Sequence, residues 1–341
     1  MIFPSTFIVA LAAAAWRFIG RVNSETEYLT WPSTGVAFSF KGTGASIQID
    51  DQIGAASVTL FIDGEAIVIP AVNGTAISTP QLQEGHHTVE LRKRSEAQYG
   101  SFRVTDVIVD GSFVTHKRPK RQIEIIGDSI SVGYGLDGTL PCTDSATLQN
   151  NPKTYGALAA NALFADYSVI AWSGKGLVRN YPSPTSDSEP VMPQLYTRFG
   201  AEDADNSYTF PRSWHPDVIV INLGTNDFAY LNARDPVDPD RLLAALVAFV
   251  KKIHKHYTHA NFFLMSSPLL NDNYPTAEDA QHSTHVTVLK RAIAELPKIK
   301  MHFVDWPPQG SDVGCDYHPN AATQAQGAAI LEEAIRNVTG W

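Results

Sequence analysis

Four short blocks carry the residue types of serine-based acyl transfer. In chain order they are Gly127-Asp128-Ser129, Ser173-Gly174-Lys175-Gly176, Gly224-Thr225-Asn226-Asp227 and Gly314-Cys315-Asp316-Tyr317-His318-Pro319-Asn320. A serine hydroxyl is a weak nucleophile near neutral pH and needs a neighbouring base. His318 could take the Ser129 proton and return it to a leaving alcohol. Asp316 would hold the imidazole tautomer and stabilise the imidazolium. Attack on an ester creates an oxyanion, and the Ser129 N–H, the Gly174 N–H and the Asn226 amide are the candidate donors, with Gly176 a neighbouring rival to Gly174. Losing one such donor raises a barrier by roughly 3–4 kcal/mol. Asp128 and Asp227 read as residues that order their turns. The reaction needs no metal, nucleotide or other cofactor.

Other chemistries are weaker. Tyr134, Trp172 and Trp214 lie near these blocks in sequence and are candidate substrate-binding aromatics, since an aromatic wall suits a carbohydrate ligand. His254, His256 and His259 end a helical stretch, where cations are ordinary. His282 and His285 have helical spacing but no partnered acids of a metal motif. Gly133 to Gly138 reads G-Y-G-L-D-G, a formal match to a dinucleotide fingerprint. That fingerprint needs its first glycine directly after the strand and a helix at its end, and "TLPCTDS" starts no helix.

The elements that must position these residues change character near residue 120. Before it, "VAFSFKG", "ASIQIDD", "SVTLFIDG", "HHTVELRKRS" and "SFRVTDVIVDG" alternate apolar and polar residues between Gly, Asn and Asp clusters. Short alternating strands at this spacing predict an all-β sandwich or jelly roll over residues 17–115. In "TVELRKRS", Val89 and Leu91 would be buried and Glu90 and Arg92 wet. "THKRPKRQ" reads as a solvated linker around residues 116–121. From residue 122 to 341, strands "IEIIG", "YSVIAWSG", "DVIVINLG", "NFFLMSSP" and "MHFVDW" alternate with helices. The helical stretches include "TYGALAANALF", "DRLLAALVAFVKKIHKHY", "TAEDAQHSTHVTVLKRAIAEL" and "NAATQAQGAAILEEAIRNV". This alternation predicts a parallel sheet covered on both faces. In such sheets functional groups gather at the carboxyl ends of strands, which is where the four blocks fall.

The chain has 341 residues and a net charge of −9, with 44% hydrophobic and 18% charged residues, which suits a large globular core. It carries no basic stripe of a nucleic-acid binder. Phe7 to Ala15 is a short apolar run ending in small residues, so residues 1–16 resemble a secretory signal, although no Lys or Arg precedes the run. The run is too short to span a bilayer. Secretion is therefore the expectation and a cytoplasmic enzyme the alternative. Asn73-Gly-Thr75 and Asn337-Val-Thr339 permit N-glycosylation in a eukaryotic secretory pathway. The two cysteines, Cys142 and Cys315, either pair or remain separate buried thiols. Oligomeric state is not specified.

The blocks resemble those of the GDSL/SGNH hydrolase superfamily, whose catalytic Ser, Gly, Asn and His would fall on Ser129, Gly174, Asn226 and His318. A β-sandwich ahead of this catalytic domain is similar to carbohydrate esterase family 2. "GRVN", "WPSTGVAFSFKGT", "IGDSISVGYG", "AWSGKGLVRNY", "NLGTNDF" and "GCDYHPN" carry that narrower likeness. The resemblance implies an α/β/α SGNH domain of flavodoxin-like type and removal of acetyl groups from plant polysaccharides such as xylan and mannan. The wider superfamily spaces its last block D-x-x-H. Here Cys315 stands three before His318 and Asp316 two before. The resemblance implies that this aspartate can act through its backbone, leaving a Ser129–His318 dyad. The alternatives are a lipase or thioesterase on the same fold, or a non-catalytic glycan-binding protein.

Overall fold

The apolar alternation of the first hundred residues is realised as two antiparallel sheets. The computed structural model describes residues 15–230 and 234–341. The signal-like stretch, residues 1–16, lies outside the described residues but for its last two positions. Trp16 already belongs to the first strand.

One sheet has the order β1-β3-β8-β5-β6, with β10 also paired to β3. Its strands are β1 (Trp16–Ile19), β3 (Gly35–Gly42), β5 (Val58–Ile62), β6 (Glu65–Ile69), β8 (Gly85–Lys93) and β10 (Ser112–Val114). The other has the order β2-β9-β4-β7, from β2 (Tyr28–Leu29), β4 (Ala45–Gly54), β7 (Ala76–Ser78) and β9 (Gly100–Val109). Val36, Phe38 and Leu60 from the first sheet and Ile47, Ile49 and Val104 from the second share one buried core. The two sheets therefore pack face to face, as period-2 alternation requires.

Arg92 departs from the expected wet face. It is 3% exposed, and its guanidinium lies 3.8 Å from the ring centroid of Tyr167 in the next domain. The face that alternation alone assigns to water is covered by the second domain.

That domain is built on a five-stranded parallel sheet, in the order β12-β11-β13-β14-β15. The strands are β11 (Arg121–Gly127), β12 (Ala165–Ala171), β13 (Val218–Asn222), β14 (Asn261–Met265) and β15 (Met301–Val304). The helices are α1 (Ser129–Val132), α2 (Tyr155–Ala162), α3 (Met192–Leu195), α4 (Thr225–Phe228), α5 (Pro239–His254), α6 (Gln281–Glu295) and α7 (Ala321–Thr339). Ile125 and Val220 enter one core with α2 and α7; Ile126, Ile219 and Ile221 enter the other with α5 and α6. The strand order reverses beside β11, which makes the ends of β11 and β13 the crevice where such sheets hold ligands.

The helix ends follow from local chemistry. The Asp238 side chain accepts from the Asp240 N–H at the start of α5, and Lys251, Lys252 and His254 fill its last turn. Asn320 caps α7 by accepting from the Thr323 N–H, and Gly340 ends it at φ 72°. The helix expected from Thr276 begins only at Gln281. The Asp279 carboxylate takes both the N–H (3.2 Å) and the hydroxyl (2.6 Å) of Thr276, closing a local turn that competes with helix.

Candidate active site

Ser129 is the first residue of α1, straight after β11. Asp128 caps that short helix, accepting the Ile130 N–H at 3.0 Å, and Gly133 closes it at φ 84°. A strand ending in a capped helical turn therefore presents the serine. Its Oγ lies 2.9 Å from His318 Nε2. His318 arrives from the connection after β15, which is three positions from β11 in the sheet. The chain from Asp305 to Asn320 crosses back over that distance.

The orientation of the imidazole is set by the backbone. His318 Nδ1 lies 3.1 Å from the carbonyl oxygen of Asp316. A carbonyl only accepts, so Nδ1 carries the proton and Nε2 presents a lone pair to the Ser129 hydroxyl. Burial pushes the His318 pKa down to about 4, partly offset by that carbonyl, so the ring is a neutral base near pH 7. The Asp316 carboxylate, expected to hold the ring, does not touch it. Its Oδ2 accepts from the Tyr134 hydroxyl at 2.9 Å and the Asp144 N–H at 3.1 Å. Asp316 and Tyr317 are both left-handed, at φ 49° and 63°. This conformation turns the carbonyl of Asp316, rather than its side chain, toward the ring.

The loop carrying His318 is tied down at several points. Cys142 and Cys315 form a disulfide. The Cys315 N–H donates to the Gly135 carbonyl at 3.1 Å, and the Asp316 N–H to the Cys142 carbonyl at 3.1 Å. A Cβ at Gly135 would lie 2.6 Å from the Cys315 Cβ, and one at Gly138 would overlap the disulfide sulfurs. Gly135 and Gly138, two of the three fingerprint-like glycines, thus make room for the histidine loop.

Gly174 follows β12 at φ 78°, and its N–H and that of Ser129 have no protein acceptor among the described residues. The rival Gly176 spends its N–H on Asn180 Oδ1 at 3.3 Å. Asn226, in α4 after β13, bridges the two loops. Its amide nitrogen donates to the Lys175 carbonyl at 2.9 Å and lies 3.3 Å from Asp128 Oδ2. Asp128 is buried, which raises its pKa to about 7. Asp227 accepts the N–H groups of Leu177 (2.8 Å), Val178 (2.7 Å) and Arg179 (3.0 Å), folding the stretch after Gly174. His285 supports the next turn: its Nε2 donates to the Leu223 carbonyl at 3.0 Å, with its pKa pushed down to about 4 by burial.

The three candidate aromatics separate. The Tyr134 ring packs 4.1 Å from that of His318. Trp172 is half-buried beside the glycine loop, edge-on to Trp31 of the first domain at 6.5 Å. Trp214 does not belong to the site. It precedes β13 and donates to buried Glu124, within β11, at 2.9 Å. That places it toward the amino ends of the strands, where its indole satisfies a buried carboxylate.

Sequence reasoning missed the frame supplied by the first domain. Buried Glu96 accepts the Ser173 N–H at 2.7 Å and the Gln149 amide at 2.8 Å. Gln149 also donates to Asp144 at 2.7 Å, and Asp144 accepts from the Gly135 N–H (2.7 Å) and the Tyr99 hydroxyl (3.0 Å). The available signal was polar: "RSEA" directly follows the alternating strand β8 and is buried throughout.

Comparison with known proteins fits this geometry. Residues 18–117 match the carbohydrate esterase 2 N-terminal family, and residues 125–326 the GDSL-like lipase/acylhydrolase family. A carbohydrate esterase family 2 enzyme of Corynascus thermopiles (Myceliophthora fergusii), solved with a carbohydrate binding domain, is 60% identical. It superposes with a TM-score of 0.93 over 96% of this chain and 100% of that one. An acetylxylan esterase / glucomannan deacetylase of Cellvibrio japonicus is 33% identical, over 88% of this chain and 82% of its own. A family two carbohydrate esterase of Clostridium thermocellum, solved in complex with cellohexaose, is 29% identical. Its TM-score is 0.85 over 96% of this chain and 99% of that one. With both domains matched and a relative of this identity covered over most of its length, the chain belongs to carbohydrate esterase family 2.

Proposed function

We propose that the chain is a carbohydrate O-deacetylase that hydrolyses acetyl esters on plant polysaccharides or oligosaccharides, with Ser129 as nucleophile and His318 as general acid–base. The observation that carries this reading is the 2.9 Å contact between Ser129 Oγ and His318 Nε2, on a ring whose Nδ1–H is already bonded. Ser129 Oγ attacks the acetyl carbonyl carbon as its proton passes to Nε2. The Ser129 and Gly174 N–H groups receive the oxyanion, joined by the Asn226 N–H that turns to it from its long 3.3 Å contact with Asp128 Oδ2, and the intermediate collapses to acetyl-Ser129 as Nε2 protonates the departing sugar oxygen. Water then attacks the acetyl-enzyme with His318 again as base, releasing acetate. The relatives named for acetylxylan and glucomannan deacetylation support an acetylated hemicellulose as substrate. Ser129→Ala and His318→Ala should each abolish acetate release while retaining the fold. Full activity in either variant would overturn the assignment. Acetate release from acetylated xylan, acetylated mannan and small sugar acetates, set against an octanoyl ester, tests the substrate.

We also read the first domain as a jelly roll over residues 17–115, joined by a linker at 116–121 to the hydrolase domain at 122–341. The end of β10 at Val114 and the start of β11 at Arg121 support these limits, with Trp16 extending the first by one residue. The disulfide supports an oxidising, extracellular setting. Among the described residues no helix is long and apolar enough to cross a membrane.

A further inference from the structure

We infer that Glu96, a residue of the N-terminal domain, is a positioning residue for the oxyanion donor at Gly174. The inference rests on the role proposed above for the Gly174 N–H and adds what holds that N–H in place.

The turn from Trp172 to Lys175 contains three successive peptide groups. The Lys175 N–H donates to the Trp172 carbonyl at 3.3 Å, closing a β-turn with Gly174 at its third position and φ 78°. A positive φ at that position is the signature of a type II turn. Types I and II differ chiefly by a flip of the central peptide, here Ser173–Gly174, and that flip reverses the direction of the Gly174 N–H. The central peptide itself carries no anchor through its N–H, because that group is the proposed donor. Its direction is therefore fixed from both sides.

On the far side, the Gly174 carbonyl accepts the Tyr181 N–H at 2.7 Å. On the near side, the Ser173 N–H donates to Glu96 Oε2 at 2.7 Å. Glu96 is wholly buried and cannot wander. Its Oε1 accepts from Gln98 at 2.6 Å and Gln149 at 2.8 Å, and its own N–H donates to Gln149 Oε1 at 2.7 Å. Each hydrogen bond of the carboxylate is accepted from a fixed donor, so the side chain has one way to sit. Gln149 continues to Asp144, which receives the Gly135 N–H and donates its own N–H to Asp316. One polar network thus links the glycine turn to the loop that orients His318, and its central carboxylate comes from the other domain. The sandwich is in this respect part of the catalytic frame.

Glu96→Gln tests this. The new amide keeps the shape but must turn an N–H₂ toward a donor, either Ser173 or the two glutamines, so the frame loses a bond without losing volume. A misplacement of about 1 Å at a reacting centre can cost on the order of 100-fold. The expected result is a kcat lowered by roughly 10- to 100-fold with KM for an acetyl ester within about threefold, the pattern of an interaction made only in the transition state. Methylboronic acid, which adds to a serine hydroxyl and places an oxygen where the oxyanion forms, should lose affinity by the same factor. A folded Glu96→Gln enzyme with wild-type kcat, or one whose boronate affinity is unchanged while kcat falls, overturns the inference. If that variant does not fold, the wild-type protein supplies the reading. The Ser173 amide should exchange its hydrogen slowly, and exchange at the rate of an exposed loop overturns it. Activity retained in Ser129→Ala would sink the underlying enzyme assignment instead, so the two failures are distinguishable.

Discussion

His318 Nδ1 donates to the backbone carbonyl of Asp316, while the carboxylate of the same Asp316 faces away, toward Tyr134 and Asp144. The third member of the constellation is therefore a main-chain dipole, and Asp316 matters for the shape of its loop. Asp316→Asn should accordingly be mild. Asparagine tolerates the left-handed φ of 49° and can still accept the Tyr134 hydroxyl. The expected loss in kcat is about tenfold or less, against the roughly 10⁴-fold that the same change costs where the carboxylate holds the imidazole. Steady-state kinetics on an acetyl ester decide it, and a 10⁴-fold drop would restore the carboxylate to the triad.

The acidity of His318 makes a second prediction. With its pKa pushed from the ordinary 6.5 to about 4 by burial, the ring stays a neutral base well into the acid range. The acid limb of kcat/KM should fall well below pH 6.5, because protonation of the free enzyme's base is what ends activity there. The stability term runs in the same direction. Between about pH 6.5 and 4 the unfolded chain binds a proton at this position that the folded chain refuses. The histidine's contribution therefore falls as pH drops through that window and is level below it. Asp128, raised to about 7 by burial, titrates separately, and Asp128→Asn should leave the acid limb where it is. A half-maximum of kcat/KM at pH 6 to 7 that survives Asp128→Asn would refute this.

Much of this site was legible because strand polarity is legible. Ser129, Gly174 and Asn226 each follow an apolar strand, and parallel sheets collect function at those ends. Trp214 could have been excluded by the same rule, since it precedes "DVIVINLG" rather than following it. The orientation of Asp316 was open to the family resemblance, which allowed a role through its backbone, but not to the spacing of the residues. It depends on two consecutive left-handed residues that no spacing announces. Glu96 was hidden for another reason. Its bond to Ser173 spans 77 positions and two domains, and alternation within one strand says nothing about what a second domain will cover. Arg92 was misjudged on the same ground.

The disulfide should act on both stability and rate. Cys142 and Cys315 are 173 positions apart, and closing a loop of that length stabilises a fold by about 5 kcal/mol in the chain-entropy picture. The double variant Cys142→Ser, Cys315→Ser should lower the unfolding midpoint. It should also lower kcat of the folded enzyme by roughly tenfold, because the histidine loop loses a covalent anchor and keeps its hydrogen bonds. Denaturant unfolding and kcat measured well below the midpoint separate the two effects. An unchanged kcat would confine the bridge to stability.

Gly138→Ala approaches the same loop from outside. An added Cβ would overlap the Cys315 Sγ and lie 2.8 Å from the Cys142 Sγ. Overpacking of this kind costs about 1–3 kcal/mol. The strain falls on the histidine loop, so kcat should fall with stability. A variant with wild-type midpoint and wild-type kcat would mean that the glycine is not held to this space.

Asn226 and Asp227 are neighbours in sequence whose removal should read out differently. Asn226→Ala deletes a proposed oxyanion donor, so kcat should fall by on the order of 10²–10³-fold. Its effect on KM should be small, and the stability loss is limited to the bonds with the Lys175 carbonyl and Asp128 Oδ2. Asp227→Asn leaves that donor in place. It turns an N–H₂ toward a cluster of three backbone N–H donors, from Leu177, Val178 and Arg179. The buried mismatch costs about 1–3 kcal/mol. The unfolding midpoint should therefore move more in Asp227→Asn, and kcat at low temperature more in Asn226→Ala. If Asn226→Ala instead lost stability while keeping kcat, its amide would be a tie between two loops, and the oxyanion would rest on the Ser129 and Gly174 N–H groups alone.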